Sequence, residues 1–310
     1  MRTTHRNYSE GLGDFARLAK LFTQRPMNRR VYTTWCLGRY VDWKYGMYPN
    51  KRAFANFCEE NGHVWFDGFG EFAGCALSES GDATFSILTR DGYRFLFEEM
   101  AVWAMENWRD RVTPECNLST ELTEHQQWEI KIIERYGFLP KVTFFTRRFD
   151  LTKDLVPRFP LEPGFTIVDM KQHPDVCAQG VLRANAFQNK ELTEEEMNDR
   201  IRFTTYNRNG PLYHPDTDIC VVAPDGRFAS GCEALINAPA LEADIERVCT
   251  HSDFRKRGFA RAAIQECLYR LKDMGIHNAY ITGYSEAAIA LYGSLGAVDE
   301  VKNFYYEVSA

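Results

Sequence analysis

The sequence has no paired cysteine motif, no long apolar run and no excess of basic residues. Its nine cysteines are scattered and odd in number, without a C-x-x-C pair, which is typical of reduced thiols and predicts neither a disulfide framework nor a metal site. The first ten residues lack the apolar stretch of a signal peptide, and no run reaches the length of a membrane span. The net charge of −6 argues against nucleic acid or an anionic membrane as the main partner. We therefore expect a cytoplasmic protein that carries no metal.

The length of 310 residues and the 45% hydrophobic content are sufficient for about two domains. Three prolines follow one another at three-residue intervals between residues 157 and 163. Such a segment is extended and can form neither a helix nor an inner strand. We therefore predict a first domain over residues 1–152, a linker over 153–164 and a second domain over 165–310.

Both halves show the same order of patterns, with period-two runs that predict strands and 3.6-residue spacing that predicts helices. The second half is predicted to contain helices at about 174–187 and 193–207, strands at 218–222, 228–236 and 241–250, a helix from residue 259, and strands at 279–283 and 304–308. In the first half, strands between residues 63 and 90 precede a helix over 93–108, and strand, helix and strand follow up to residue 149. The predicted fold class is therefore α/β, of the α+β type with a mixed sheet. The two halves are predicted to form related modules.

The segment Arg255–Ala260 joins a predicted strand to a predicted helix. Gly258 lets a ligand approach the backbone, and Ala260 keeps the first helical turn slim. The start of a helix binds anions through its unpaired N–H groups and the positive end of its dipole. Three cationic side chains in the same segment suit more than one phosphate charge, so the pattern predicts a pyrophosphate ligand.

This joint fits the pattern Q/R-x-x-G-x-G/A, and the later segment Ser285–Ala297 is similar to N-x-x-A-x-x-L-Y-x-x-x-G-F. With these two motifs in this order, the second half resembles the GCN5-related N-acetyltransferase (GNAT) superfamily. Since both halves follow one plan, the chain resembles a tandem member. The resemblance implies that each module is a mixed, largely antiparallel twisted sheet with flanking helices, and that the cosubstrate is acetyl-CoA.

The first module departs from the family pattern where chemistry would be expected. Thr89 stands in place of Gln or Arg, and Arg94 stands where the pattern requires Gly or Ala. Aligning Gly137 with Gly296 puts Ile133 at the position of Tyr292, and Ile cannot donate a proton. We therefore expect a degenerate N-terminal copy and one active site per chain, in the second module.

The resemblance implies how the second module would hold acetyl-CoA. The pantetheine arm would pair with backbone groups near Val248 and Thr250, like an added strand. The loop amides from Lys256 to Ala260 would hold the pyrophosphate, and Ser285 replaces the usual Asn of the later helix. The residues expected to bind acetyl-CoA are Val248, Thr250, Arg255, Lys256, Arg257, Gly258, Phe259, Ala260 and Ser285.

Tyr292 is the candidate general acid, because its family counterpart protonates the departing thiolate; the alternative is a tyrosine that only caps the core. Strand periodicity predicts that Asp244 and Glu246 share one face with Val248 and Thr250. Glu246 is the first candidate for the base that takes a proton from the amine, and Asp244 is the second. The alternative is that both merely form a solvent-facing acidic strand end. His251 is a further candidate, although such histidines often satisfy only a local hydrogen bond.

These assignments predict an acetyl-CoA-dependent N-acetyltransferase in which a primary amine attacks the thioester directly. The acceptor is expected to be a small molecule. The acidic segment 191–199 favours a cationic acceptor, but Thr193 to Glu196 also fits a helix capping box. The alternative function is a non-catalytic acyl-CoA-binding or regulatory scaffold. A homodimer is left open by the sequence.

Overall fold

The computed structural model describes residues 3–23, 33–45 and 56–308. The chain divides into two compact units: Met1–Phe144 together with Val301–Ala310, and Phe145–Glu300. We refer to them as the first and the second unit. Both are mixed α/β structures with a sheet and flanking helices, as the sequence predicted.

The first unit is built on a sheet in the order β1-β2-β3-β4-β5-β12. Its strands are β1 (Thr4–Asn7), β2 (Gly62–Phe66), β3 (Phe72–Leu77), β4 (Thr84–Thr89), β5 (Leu118–Thr123) and most of β12 (Asp299–Val308). Its described helices are α1 (Asp14–Thr23), α2 (Leu37–Tyr45), α3 (Phe57–Asn61), α4 (Phe97–Trp108) and α5 (Gln127–Arg135). Neighbouring strands are antiparallel except β4 and β5, which run parallel because α4 crosses over between them. The core packs α4 against the sheet, with Phe85, Phe97 and Met100 fully buried.

The second unit has a sheet in the order β6-β11-β10-β9-β8-β7. Its strands are the end of β6 (Leu139–Asp150), β7 (Thr166–Asp169), β8 (Ile219–Val222), β9 (Phe228–Asn237), β10 (Glu242–Thr250) and β11 (Asn278–Gly283). Its helices are α6 (Val176–Gln188), α7 (Glu194–Asn207), α8 (Phe259–Asp273) and α9 (Glu286–Gly293). Only β10 and β11 are parallel, across the α8 crossover. Helices α8 and α9 cover one face of the sheet, and α6 packs on the other.

The end of β6 and most of β12 do not belong to the unit that their position in the chain predicts. The end of β6 pairs antiparallel with β11 throughout, from Asp150 opposite Asn278 to Phe145 opposite Gly283. Strand β12 pairs in the same way with β5 of the first unit. The compact units therefore do not coincide with the contiguous ranges 1–152 and 165–310. The reason is that alternation in the sequence predicts where a strand lies, whereas its partner is set by distant residues.

A buried polar cluster fixes helix α6 to the sheet of the second unit. Asp218 is fully buried and accepts hydrogen bonds from Gln179 (2.7 Å), Arg208 (3.2 Å) and the hydroxyl of Tyr213 (3.0 Å). Arg183 of α6 lies 3.5 Å from Asp218. A buried carboxylate requires such partners, because an unpaired one would lose its hydration without compensation.

Candidate active site

The parallel strands β10 and β11 separate before they end. They pair only from Glu242 opposite Asn278 to Ile245 opposite Ile281. Strand β10 then continues to Thr250 alongside β9 alone. Within the described residues, the backbone of β10 from Glu246 onward therefore has no strand on its β11 side. An extended ligand could add there through backbone hydrogen bonds.

A β-bulge in β10 changes which side chains share a face. The register shifts between Glu246, opposite Glu233, and Cys249, opposite Gly231, and Arg247 has a positive φ of 52°. One extra residue reverses the alternation that follows it. Asp244 and Glu246 share a face as predicted, but Thr250 lies on the opposite face.

The same bulge affects Val248, which packs against the core cluster that contains Ile245. Ile245 and Glu246 are neighbours in regular strand and point to opposite faces. The prediction that Val248 and Thr250 share the face of Glu246 is therefore wrong. Their backbone groups, which the acetyl-CoA prediction uses, still border the opening between β10 and β11.

On the face of β10 that carries Glu246, a buried carboxylate of β9 is paired with two arginines. Glu233 is 2% exposed and lies directly across from Glu246. Two opposed carboxylates would repel each other. Arg183, at 2.8 Å, and Arg247 both form ion pairs with Glu233 and balance this charge. Asp244 is only 5% exposed, so a solvent-facing strand end does not describe it.

Tyr292 of α9 is packed in the core with its hydroxyl unused. It is 6% exposed, and its ring lies so close to Gly283 that a Cβ there would be 3.1 Å from a ring carbon. The hydroxyl makes no hydrogen bond within the part of the chain that the structure describes. Burial, together with the nearby charge of Glu246, raises the pKa of this phenol well above its ordinary value. The ring of Tyr292 is thus part of the core, and its hydroxyl is a protonated donor without an acceptor in the described residues.

The loop before α8 presents a set of unpaired donors. Lys256 and Gly258 have φ angles of 62° and 81°, and Gly258 begins the helix without a side-chain cap. No acceptor among the described residues receives the N–H groups of Lys256 to Ala260. Residues that alternate with left-handed neighbours in this way form concave anion-binding nests. The donors and cations of the loop therefore fit a pyrophosphate.

The side chains around this loop have distinct positions. Phe259 is fully buried and anchors the first turn of α8 in the core. The Arg255 guanidinium lies near the carbonyl oxygens of Thr250 (3.5 Å) and Ala186 (3.4 Å). Arg257 forms an ion pair with Glu162 of the linker. The loop is thus held by its side chains while its backbone donors stay free.

Two further candidate residues have local hydrogen bonds. The Ser285 hydroxyl accepts from the N–H of Ala288 at 3.2 Å and so caps helix α9. His251 Nδ1 accepts from the N–H of Asp253 at 3.2 Å and caps a short 3₁₀ turn. Neither side chain therefore needs a ligand to satisfy the atom concerned.

The corresponding loop of the first unit differs in its side chains and their contacts. Arg94 forms a two-point ion pair with the buried carboxylate of Glu129. The N–H of Tyr93 bonds the carbonyl of Arg90, and a 3₁₀ turn precedes α4. Ile133 is fully buried in the core. These contacts agree with a degenerate first copy, because Arg94 is engaged in an ion pair and a buried isoleucine stands where the second unit has the phenol of Tyr292.

The sequence did not predict Glu233, Arg183 or the bulge at Arg247 as parts of this site. A charged residue inside the buried run of β9 was the only local signal, and it did not indicate a partner. Among the described residues, no group of three or more His, Cys, Asp or Glu side chains could hold a metal ion. The helices of those same residues include none that is long and apolar enough to cross a membrane.

Comparisons with known proteins agree with this geometry. Residues 182–297 match the acetyltransferase (GNAT) family. None of the curated proteins matches the chain significantly. Among solved structures, a GCN5-related N-acetyltransferase from Sphaerobacter thermophilus is similar over 100% of this chain and 96% of its own, with a TM-score of 0.65 and 16% identity. A tandem GNAT protein from the clavulanic acid biosynthesis pathway is similar over 99% and 98%, with a TM-score of 0.66 and 13% identity. At such identities the likeness concerns the fold.

Proposed function

From the premise that this chain is a member of the GNAT superfamily with two tandem modules, we propose that it transfers the acetyl group of acetyl-CoA to a primary amine of a small molecule. The GNAT fold in general supports acetyl transfer from acetyl-CoA. The active site is assigned to the second unit. The first unit, with its altered loop, is assigned no active site.

One observation carries this proposal: a single unit combines the free donors of the loop, the open edge of β10 and the unused hydroxyl of Tyr292. The N–H groups of residues 256–260 would hold the pyrophosphate. The backbone of β10 beyond Ile245 would pair with the pantetheine arm. A pantetheine arm that runs along β10 would bring the thioester to Tyr292 and Glu246, which interact electrostatically.

The proposed chemistry is direct attack of the amine on the thioester carbonyl. Glu246 would accept the proton that the amine loses, directly or through a water molecule. Tyr292 would donate its proton to the thiolate sulfur as the carbon–sulfur bond breaks. The raised pKa keeps the phenol protonated until that moment. Asp244 is the second candidate for the base, because it lies on the same face of β10 but is more deeply buried.

The acidic segment 191–199, which favoured a cationic acceptor in the sequence, is partly explained by local contacts. The capping box is confirmed: the Thr193 hydroxyl accepts from the N–H of Glu196, whose carboxylate accepts from the N–H of Thr193. The same carboxylate also pairs with Lys190. These contacts explain Glu196 without a cationic ligand. The proposal of a small-molecule amine therefore rests on Glu246 and on the fold.

The alternative, a non-catalytic acyl-CoA-binding or regulatory scaffold, is favoured by the first loop, where Arg94 is engaged in an ion pair with Glu129. That observation concerns the first unit alone. A scaffold would bind acetyl-CoA in the second unit but would release no thiol with any amine. The two functions therefore differ in turnover and not in binding.

The test is thiol release from acetyl-CoA in the presence of a panel of primary amines, with acetyl-CoA binding measured in parallel. Lys256→Glu places a negative charge in the loop at an exposed position and should abolish binding and turnover. Lys131→Glu makes the same charge change at an exposed position of α5 and should alter neither. Binding without thiol release from any amine would favour the scaffold. Binding that survives Lys256→Glu would move the cosubstrate away from this loop.

A further inference from the structure

The linker between the predicted modules is held along helix α8 of the second unit. Arg158 forms an ion pair with Glu266 at 2.8 Å. Gln265 makes two hydrogen bonds to the linker backbone: its carbonyl accepts from the N–H of Phe159 (2.8 Å), and its amide donates to the carbonyl of Pro157 (2.9 Å). These contacts fix the position of the linker along the middle of α8.

The linker places an aromatic ring beside the loop of unpaired donors. A Cβ on Gly258 would lie 2.3 Å from Cε1 of Phe159, so the ring occupies the space that a side chain at position 258 would fill. Phe159 nevertheless remains 37% exposed. One part of the ring is therefore held against the loop, while another part offers apolar surface to a ligand.

One cationic group lies beside this ring, and a second lies in the adjoining loop. The Arg261 guanidinium lies 6.0 Å from the ring centroid and donates to the Ser294 hydroxyl at 2.6 Å. Arg257 pairs with Glu162 of the linker, and both side chains are substantially exposed. An exposed ion pair contributes little stability, so a phosphate can compete with Glu162 for Arg257. A planar apolar surface beside a cation and a basic loop suits a nucleotide, which combines a stacking base with phosphate charge.

We propose that Phe159 forms the wall against which the adenine nucleotide of acetyl-CoA stacks, so that the linker is part of the cosubstrate site. This inference rests on the proposed function. A pyrophosphate held by residues 256–260 has the pantetheine arm on one side and the nucleotide on the other. With the arm directed along β10, the nucleotide lies outside the loop, where Phe159 and Arg261 are found.

The test compares Phe159→Ala with wild type using acetyl-CoA and acetyl-pantetheine, which carries the same thioester without the nucleotide. Loss of a base–aromatic stack should weaken acetyl-CoA binding about 5- to 100-fold. The kcat/KM for acetyl-CoA should fall by a similar factor, while that for acetyl-pantetheine should stay within about twofold. Phe159→Trp should retain most of the affinity, because the indole also stacks.

Val156→Ala is the matched control. Val156 is a linker side chain of similar exposure, and it packs against Gly296 as Phe159 packs against Gly258. It should leave the binding of both donors unchanged. Thermal melting of each variant shows whether the linker stays in place.

Three outcomes would overturn the inference. Equal losses with acetyl-CoA and acetyl-pantetheine would mean that the ring only supports the loop. Tighter binding of acetyl-CoA by Phe159→Ala would mean that the ring covers the loop and opposes binding. Unchanged binding would remove Phe159 from the site. Failure of the proposed acetyl transfer can be distinguished from failure of this inference. In that case wild type would bind acetyl-CoA without releasing thiol, and the binding comparison would still decide the role of Phe159.

Discussion

Replacing Tyr292 with phenylalanine removes a single oxygen from the site and keeps the buried ring. Because the hydroxyl has no hydrogen-bond acceptor in the described residues, its removal should change the unfolding free energy by less than about 1 kcal/mol. The affinity for acetyl-CoA should also change little, since the loop and the edge of β10 are untouched. Turnover should fall about 10²- to 10⁴-fold, because a positioned proton donor to the thiolate is lost.

Tyr213→Phe is the control for a hydroxyl with a structural role. The Tyr213 hydroxyl donates to the buried carboxylate of Asp218 at 3.0 Å. Its loss should lower the unfolding free energy by about 1.5 to 3 kcal/mol, as expected for a hydrogen bond to a charged group. Turnover of the folded protein should stay near that of wild type. Tyr292→Phe should therefore lower turnover and leave stability unchanged, whereas Tyr213→Phe should lower stability and leave turnover unchanged.

The assay is single-turnover thiol release at saturating acetyl-CoA and amine, with stability measured by urea unfolding of the same preparations. Unchanged turnover of Tyr292→Phe would mean that water protonates the thiolate and that Tyr292 is only a core residue. Loss of acetyl-CoA binding would assign the hydroxyl to the cosubstrate pocket. A loss of stability as large as that of Tyr213→Phe would show that the hydroxyl has a structural acceptor.

Four further predictions follow from the same structure. Calorimetry should give about one acetyl-CoA per chain, and two equal sites would contradict the degenerate first loop. Glu246→Gln should lower turnover more than Asp244→Asn with little effect on acetyl-CoA affinity, and the reverse order would exchange their roles. A fragment of residues 145–300 should fold, whereas residues 165–310 should aggregate, because that fragment lacks the strand that pairs with all of β11; equal solubility and melting of both would refute this. Since burial raises the pKa of Tyr292, the unfolded chain ionises this phenol first, so wild type should lose stability above about pH 10 more steeply than Tyr292→Phe in pH-dependent unfolding; parallel curves would argue against the raised pKa.

The sequence by itself determined the elements that depend on neighbouring residues. The strand predicted over 241–250 is Glu242–Thr250, and the helix predicted over 193–207 is Glu194–Asn207, begun by the predicted capping box. The free loop amides at the start of α8 likewise follow from a local switch from strand to helix period at Gly258. Such features are readable because backbone geometry and side-chain spacing over a few residues decide them.

Only the tertiary structure decided how distant residues meet. The bulge at Arg247 reverses the faces of β10, and its register is defined by pairing with β9. The exchange of β6 and β12 between the units, and the contact of Phe159 with Gly258, also join segments far apart in the chain. A strand pattern shows which side chains alternate but does not identify the partner strand or an inserted residue. The partner strand and the position of a bulge depend on the packing and hydrogen bonding of the whole unit. They therefore cannot be read from a single stretch of sequence.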